Sequence, residues 1–162
     1  MADDRGLHIS AEIGYWATST MECWSCKRET RVTALVAAPP VYIREGDETV
    51  EEDGALFVTG VPELSERSMQ ELRSINAQVW LDESRTAGST YLMNHCRHCD
   101  AKIGDHYVTQ IHGPLLPLAD DDMGKIELAS MKEPVDVECG GYSQSSRLDE
   151  VLKWEPPYER GH

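Results

Sequence analysis

Two cysteine pairs with the same spacing are the residues of this sequence best suited to chemistry. Cys23 and Cys26 form one Cys-x-x-Cys turn, and Cys96 and Cys99 form a second. Four thiolates can close tetrahedrally around Zn²⁺, and such a set is the usual structural zinc site. We therefore predict one structural zinc ion held by Cys23, Cys26, Cys96 and Cys99. A site of this kind leaves no open coordination position and does not catalyse.

Two other uses of these cysteines stay open. A thioredoxin-like redox pair needs a turn from a strand into a helix and a lowered thiol pKa. Here the residues behind both turns, Val32 to Ala37 and Tyr107-Val108, predict strands instead. Two disulfides would need an oxidising compartment, which nothing in the sequence indicates. The spacing is unusual, because 69 residues separate Cys26 from Cys96, against roughly 15–20 in a compact ribbon.

Histidines near the second turn offer a variant of the same site. Either His95 or His98 could replace a cysteine and give a set of three Cys and one His. A zinc deaminase would need a His-x-Glu motif ahead of its cysteine pair, and the sequence has none. Cys139 is the fifth cysteine. We expect a buried or half-buried small side chain there, with a ligand or reactive role as the alternative.

Residues around both turns carry a resemblance. Met21-Glu22-Cys23-Trp24-Ser25-Cys26, with a predicted strand behind it, looks like the first knuckle of a zinc ribbon. The stretch Asn94 to Asp105 resembles the second knuckle of split zinc-ribbon proteins of bacteria. Such knuckles often place Gly after the second Cys, where positive φ is favoured; here Asp100 takes that position, which Asp tolerates better than most residues. The resemblance implies a metal-bound β core and no particular activity.

Composition limits the partners. The chain has 162 residues and a formal net charge of −14, which disfavours nucleic acid and anionic membranes and favours a basic partner. We expect one domain over residues 1–162, with an insertion at about 39–78 between the two knuckles. The sequence shows no signal peptide or transmembrane run, and with its free thiols this predicts a cytoplasmic protein without membrane contact.

One stretch concentrates negative charge. Glu45 to Gly54 holds six acids and no Lys or Arg, between the apolar runs Val41–Arg44 and Ala55–Thr59, and predicts a hairpin with a long acidic loop. The plain interpretation is a solvated loop. The alternative is a contact surface for a basic partner, formed by Asp47, Glu48, Glu51, Glu52 and Asp53. The alternation of an EF-hand calcium loop is missing.

Positive charge gathers beside the knuckles. Five of the fifteen Lys and Arg residues lie there: Lys27, Arg28, Arg31, Arg97 and Lys102. These cations could balance the charge of four thiolates. Alternatively they form an anion-binding patch, as in nucleic-acid-binding zinc ribbons.

The elements around the knuckles predict an α+β fold with a β-rich zinc-ribbon core. Residues 1–12 are polar and expected to fray, with a short edge strand at His8-Ile9-Ser10 as the alternative. Pro39-Pro40 is expected to end the strand that leaves the first knuckle. The expected elements are strands over Gly14–Glu22, Val32–Ala37, Val79–Leu81, Ser89–Asn94, Lys125–Met131 and Val135–Cys139, and helices over Ser65–Gln78 and Ser145–Trp154.

These observations favour a non-catalytic, intracellular zinc-binding protein that acts by contacting another macromolecule. The partner we expect is a basic protein, as for an inhibitor or immunity protein. The alternatives are a nucleic-acid-associated regulatory zinc ribbon and an enzyme of unknown type. The sequence carries no Gly-rich phosphate loop, nucleophile elbow or His-Glu-x-x-His motif.

Overall fold

The computed structural model describes residues 6–86, 88–118 and 120–152, apart from the side chains of Asp120 and Met123. Within these ranges the fold is α+β and rich in strand, as the sequence predicts. The elements are β1 Leu7–Glu22, β2 Glu29–Glu45, β3 Glu48–Glu52, β4 Leu56–Thr59, α1 Glu66–Ile75, β5 Val79–Ser84, β6 Ser89–His95, β7 Lys102–Ile103, α2 Asp105–Thr109, a 3₁₀ helix Asp120–Lys125, β8 Glu127–Ser130, β9 Val135–Cys139, β10 Gly141–Gln144 and α3 Ser146–Leu152.

A long antiparallel hairpin, β1–β2, is the centre of the molecule. It is paired from Leu7↔Glu45 at one end to Glu22↔Glu29 at the first knuckle. β3 and β4 pair with successive parts of β2, and β9 and β8 pair with successive parts of β1. β10 extends the sheet beyond β4. The hairpin thus fixes the first knuckle at the end of a seven-stranded sheet.

The prediction that Pro39-Pro40 ends the strand is wrong. β2 runs through both prolines to Glu45. The β1–β2 register shifts at this point, from Ile13↔Ala38 to Ala11↔Val41. On the other side of β2, β4 pairs only up to Ala37 and β3 pairs only from Val41. The prolines therefore occupy an irregularity where the ladder requires no backbone donor.

Apolar residues pack on both faces of the sheet. One cluster contains Trp16, Leu35 and Val137, together with Leu72 of α1 and Val79 of β5. The other cluster contains Phe57 and Val36, with Val108 of α2 and Leu148 of α3, and it includes Cys23 and Cys96. The first cysteine of each knuckle is thus part of the second core cluster.

Helix α1 confirms the best helical prediction of the sequence. It runs over Glu66–Ile75, and the Ser65 hydroxyl caps it by accepting the Ser68 N–H at 3.1 Å. The strand expected at Tyr107-Val108 is wrong, because α2 covers these residues. Helix α3 lies where a terminal helix is expected, and Trp154 falls outside the described residues.

Two regions expected to be irregular are strands. His8 to Ala11 belong to β1 and pair on both sides, with β2 and with β9, so they are neither frayed nor an edge. The long acidic loop is also a wrong prediction. A tight turn at Gly46-Asp47 starts β3, which carries Glu48, Glu51 and Glu52. The hydrogen-bonded ladder to β2 stabilises β3, and the negative charge of the segment does not prevent this pairing.

Residues 39–78 contribute the end of β2, all of β3 and β4, and α1. A second sheet, β5–β6–β7, then delivers the second knuckle. No helix in the described ranges is long and apolar enough to cross a bilayer.

Candidate metal centre

The two Cys-x-x-Cys turns have the same backbone geometry. In the first, Cys23 N–H donates to the Arg28 carbonyl at 2.8 Å and Lys27 N–H donates to the Cys23 carbonyl at 3.0 Å. In the second, the equivalent bonds are Cys96 N–H to Ala101 at 3.0 Å and Asp100 N–H to Cys96 at 2.9 Å. Two turns that are 73 positions apart in the chain are therefore one repeated structure.

The same turns direct amide protons at sulfur. Ser25 N–H lies 3.3 Å from Cys23 Sγ, and His98 N–H lies 3.3 Å from Cys96 Sγ. Each turn closes with a residue at positive φ, Lys27 at 66° and Asp100 at 62°. Asp100 has the left-handed backbone that the sequence predicts for this position. Lys27 has it as well, although a long side chain is not favoured there.

The four sulfur atoms form one compact group. Cys23 Sγ lies 3.7 Å from Cys99 Sγ, and Cys26 Sγ lies 3.6 Å from Cys96 Sγ. All four lie within 4.8 Å of one another, and all the cysteines are free thiols. A regular tetrahedron with Zn–S distances of about 2.3 Å has edges of about 3.8 Å. The residues present therefore fit a tetrahedral thiolate-bound metal ion.

The thiols differ in acidity. Burial opposes ionisation of Cys23, but the N–H groups of Cys26 and Ser25 and the neighbouring thiols outweigh it and lower the pKa to about 6. For Cys26, a hydrogen bond from the Arg28 backbone favours ionisation, but burial and the adjacent sulfur atoms raise the pKa to about 11. Cys23 therefore ionises readily, and its negative charge opposes ionisation of Cys26. A bound dication would offset this repulsion between the two thiolates.

A buried amide joins the strands that carry the two knuckles. Asn94 Oδ1 accepts the Thr33 N–H at 2.9 Å, and Asn94 Nδ2 donates to the Thr33 carbonyl at 3.0 Å. The Asn94 side chain of β6 thus makes the two backbone hydrogen bonds that a neighbouring strand would make with β2, at a position beyond the end of β4. Asn76 Nδ2 donates to Thr33 Oγ1 at 3.1 Å, and this hydroxyl also contacts Thr18 Oγ1 at 2.9 Å. Cys96 follows two residues after Asn94, so this network sets its position.

Further contacts connect the knuckles directly. Arg97 N–H donates to Thr30 Oγ1 at 3.0 Å, and His98 Nε2 donates to the Glu29 carbonyl at 3.2 Å. Trp24 Nε1 donates to the Lys102 carbonyl at 2.8 Å. Each knuckle is therefore tied to the strand that enters or leaves the other.

Neither histidine belongs to the sulfur group. His95 is buried, donates from Nε2 to Asp82 Oδ2 at 2.8 Å, and stacks on Trp80 with ring centroids 3.8 Å apart. Its Nδ1 is buried and has no hydrogen-bond partner among the described residues. The hydrogen bond from His95 lowers the pKa of Asp82, and the hydrogen bond from the Glu83 N–H lowers it further. Cys139 is buried in the other core cluster, where burial raises its pKa to about 11.

The five cations beside the knuckles do not act alike. Arg31 pairs with Glu127 at 3.4 Å, and Lys102 pairs with Asp82 at 3.4 Å. Lys27 Nζ donates to the Trp24 carbonyl at 3.0 Å. Arg28 and Arg97 are exposed and form no ion pair with the described part of the chain. An anion patch over the knuckles would therefore rest mainly on these two arginines.

The acidic group lies at a sheet edge. The residues proposed from the sequence, Asp47, Glu48, Glu51, Glu52 and Asp53, are on β3 or next to it. All are exposed except the half-buried Glu52, whose Oε1 accepts from Gln144 Nε2 at 3.2 Å. None of them forms an ion pair within residues 6–86, 88–118 and 120–152.

No protein-family model, curated protein or solved structure matches this chain. The cysteine geometry is consistent with a zinc-ribbon-like site. The residues that the sequence analysis missed are Asn94, Thr33 and Thr30, which hold the knuckles together. An Asn two residues before a Cys-x-x-Cys turn is a weak indication, because its partner lies 61 positions away.

Proposed function

We propose that this is a non-catalytic, zinc-stabilised protein that acts by binding a basic protein through its acidic edge strand. Four thiols complete a tetrahedral set, so a bound ion would have no position for substrate or water. The ion would be held by Cys23, Cys26, Cys96 and Cys99 and would stabilise the junction of the two sheets. An inhibitor or immunity protein directed against a basic toxin is one concrete form of this function.

The observation that supports a basic partner is the β3 hairpin. Six carboxylates from Glu45 to Asp53 are close in sequence, the segment contains no Lys or Arg, and none of the six forms an ion pair with a described residue. Among the described strands, β3 pairs with β2 alone, so its second edge has no strand partner within the described part of the chain. A basic surface would relieve the repulsion and would be attracted at long range, which raises the association rate.

The test is a pull-down from a lysate of the source organism, followed by kinetics with the captured protein. A triple variant, Glu48→Gln, Glu51→Gln and Glu52→Gln, neutralises β3. Its matched control neutralises three exposed acids elsewhere, Glu12, Glu22 and Glu63, with the same change in net charge. We expect a partner with a basic contact face and an association rate that falls as salt rises. The β3 triple should slow association at least tenfold more than the control.

Three results would count against this function. An acidic partner, or equal effects of the two triple variants, would exclude the β3 hairpin as the contact. Micromolar binding of DNA or RNA at about 0.15 M salt, where the Debye length is about 8 Å, would favour the nucleic-acid alternative. That binding should then be lost when Lys27, Arg28 and Arg97 are changed to Glu.

A further inference from the structure

A cleft of about 1180 Å³ opens beside the metal centre, and none of its walls is a cysteine. The turn of the β5–β6 hairpin forms one side, with Arg85. The start of α2 forms another, with Tyr107, and Trp24 of the first knuckle closes the cleft near Lys102. Its volume is sufficient for a ligand of drug or nucleotide size.

Two aromatic rings of the lining are exposed to solvent. Trp24 is 60% exposed and Tyr107 is 54% exposed. The Trp24 ring is fixed by its hydrogen bond to the Lys102 carbonyl, and the Tyr107 ring contacts His106 edge-on, with centroids 5.5 Å apart. Exposed aromatic rings of this kind are surfaces on which a planar group can stack.

Hydrogen-bond donors without acceptors line the same cleft. Tyr91 is only 7% exposed, and its hydroxyl oxygen accepts the Asp105 N–H at 3.2 Å. The Tyr91 O–H proton has no acceptor in the described part of the chain, although a buried hydroxyl normally donates. Arg85 is exposed and likewise has no ion pair with any described residue. Lys102 is already shared between Asp82 and the Glu83 carbonyl, at 3.4 and 2.6 Å.

Two carboxylates, Glu83 and Asp105, also line the cleft. Asp105 Oδ2 accepts the Gly60 N–H at 2.7 Å, so this oxygen is engaged in the wall. Gly60, Gly140 and Gly141 form the adjoining surface, where only backbone separates a ligand from the wall.

We propose that this cleft binds a nucleotide, with the base against Trp24 and Tyr107 and the phosphate accepting hydrogen bonds from Arg85 and the Tyr91 hydroxyl. A base supplies the planar face that the exposed rings can stack on. A phosphate supplies the acceptors that the two donors lack. The net charge of −14 favours a free mononucleotide over a nucleic-acid strand. This site is independent of the contact proposed for β3.

The experiment is isothermal titration calorimetry of the metal-loaded protein. The probes are AMP and UMP, adenosine without the phosphate, ribose 5-phosphate without the base, and an eight-residue oligothymidylate. The variants are Arg85→Gln and Tyr107→Ala. Arg44→Gln and Tyr42→Ala are matched controls, since both side chains are exposed on β2 and neither lines the cleft.

We expect AMP or UMP to bind with Kd below about 1 mM, and each fragment at least tenfold more weakly. Arg85→Gln and Tyr107→Ala should each weaken binding about tenfold or more, while the controls stay within about twofold. If the oligothymidylate bound more tightly than the mononucleotides and responded in the same way to the variants, the cleft would be a nucleotide site whose ligand is single-stranded nucleic acid. No heat with either mononucleotide at about 5 mM, adenosine binding as tightly as AMP, or variants that bind like wild type would overturn the proposal.

Discussion

Asn94 gives the sharpest test of how the two knuckles are brought together. Asn94→Ala removes both bonds to Thr33 and leaves a buried N–H and a buried C=O without partners, since Thr33 is only 6% exposed. Each unsatisfied buried group costs about 1–3 kcal/mol. We therefore expect a loss of about 2–6 kcal/mol in the free energy of unfolding, which is a large part of the stability of an ordinary domain.

The assay has two readouts. Urea unfolding of the metal-loaded protein measures the loss of stability. Transfer of zinc to a chromogenic chelator measures the metal centre, and we expect release at least tenfold faster, because Cys96 lies two residues from the lost contact. Thr90→Ala, an exposed change on the same strand, is the control and should stay within about 0.5 kcal/mol of wild type.

If Asn94→Ala unfolded within about 1 kcal/mol of wild type, the buried amide would not stabilise the contact between β6 and β2. A large loss of stability with unchanged zinc release would refute only the link to the metal centre. The amide would then hold the two sheets together without setting the position of the second knuckle.

Three further predictions test separate features. The protein should carry one zinc ion per chain by elemental analysis, and Cys96→Ser should lose the ion and lower the melting temperature sharply; a variant that melts like wild type would make the centre accessory. Burial raises the pKa of Asp105 from 3.8 to about 6, against the opposing Gly60 N–H bond, so the folded state binds its proton more tightly and stability falls as pH rises between these values. Asp105→Asn should therefore be more stable than wild type at pH 7, by up to about 2 kcal/mol, and should match it near pH 4 in urea unfolding. Gly14→Ala should cost about 1–3 kcal/mol, because a Cβ there would lie 2.4 Å from Val135 Cγ2; Gly124→Ala, with no atom within 4 Å, should be neutral by the same measurement.

The sequence predicts the cysteine group well because the information is local. Two Cys-x-x-Cys turns set their own backbone geometry, and thiolate chemistry then favours one metal. Helix α1 is predicted for the same reason, since Ser65 as N-cap and the spacing of Met69, Leu72 and Ile75 all lie within three turns.

The wrong predictions depend on distant parts of the chain. Pro39 and Pro40 are tolerated because neither flanking strand pairs at that point, which a local rule against proline in strands cannot show. Tyr107-Val108 is helical because Val108 packs in the second core cluster, beside strands far away in sequence. The sequence does not identify Asn94 as a site residue, because its contact with Thr33 forms only when β6 lies beside β2.

The pairing of β1 has a consequence for synthesis of the protein. Leu7 to Ala11 pair with β9, and Tyr15 to Thr18 pair with β8, so one side of β1 is completed by residues more than 100 positions later. At about 5–20 residues per second, the β1–β2 hairpin leaves the ribosome several seconds before these partners exist. During that interval Ile9, Trp16 and one edge of β1 are uncovered. The nascent chain is therefore most exposed to aggregation before β8 and β9 emerge, and chaperone binding should concentrate on the first hairpin.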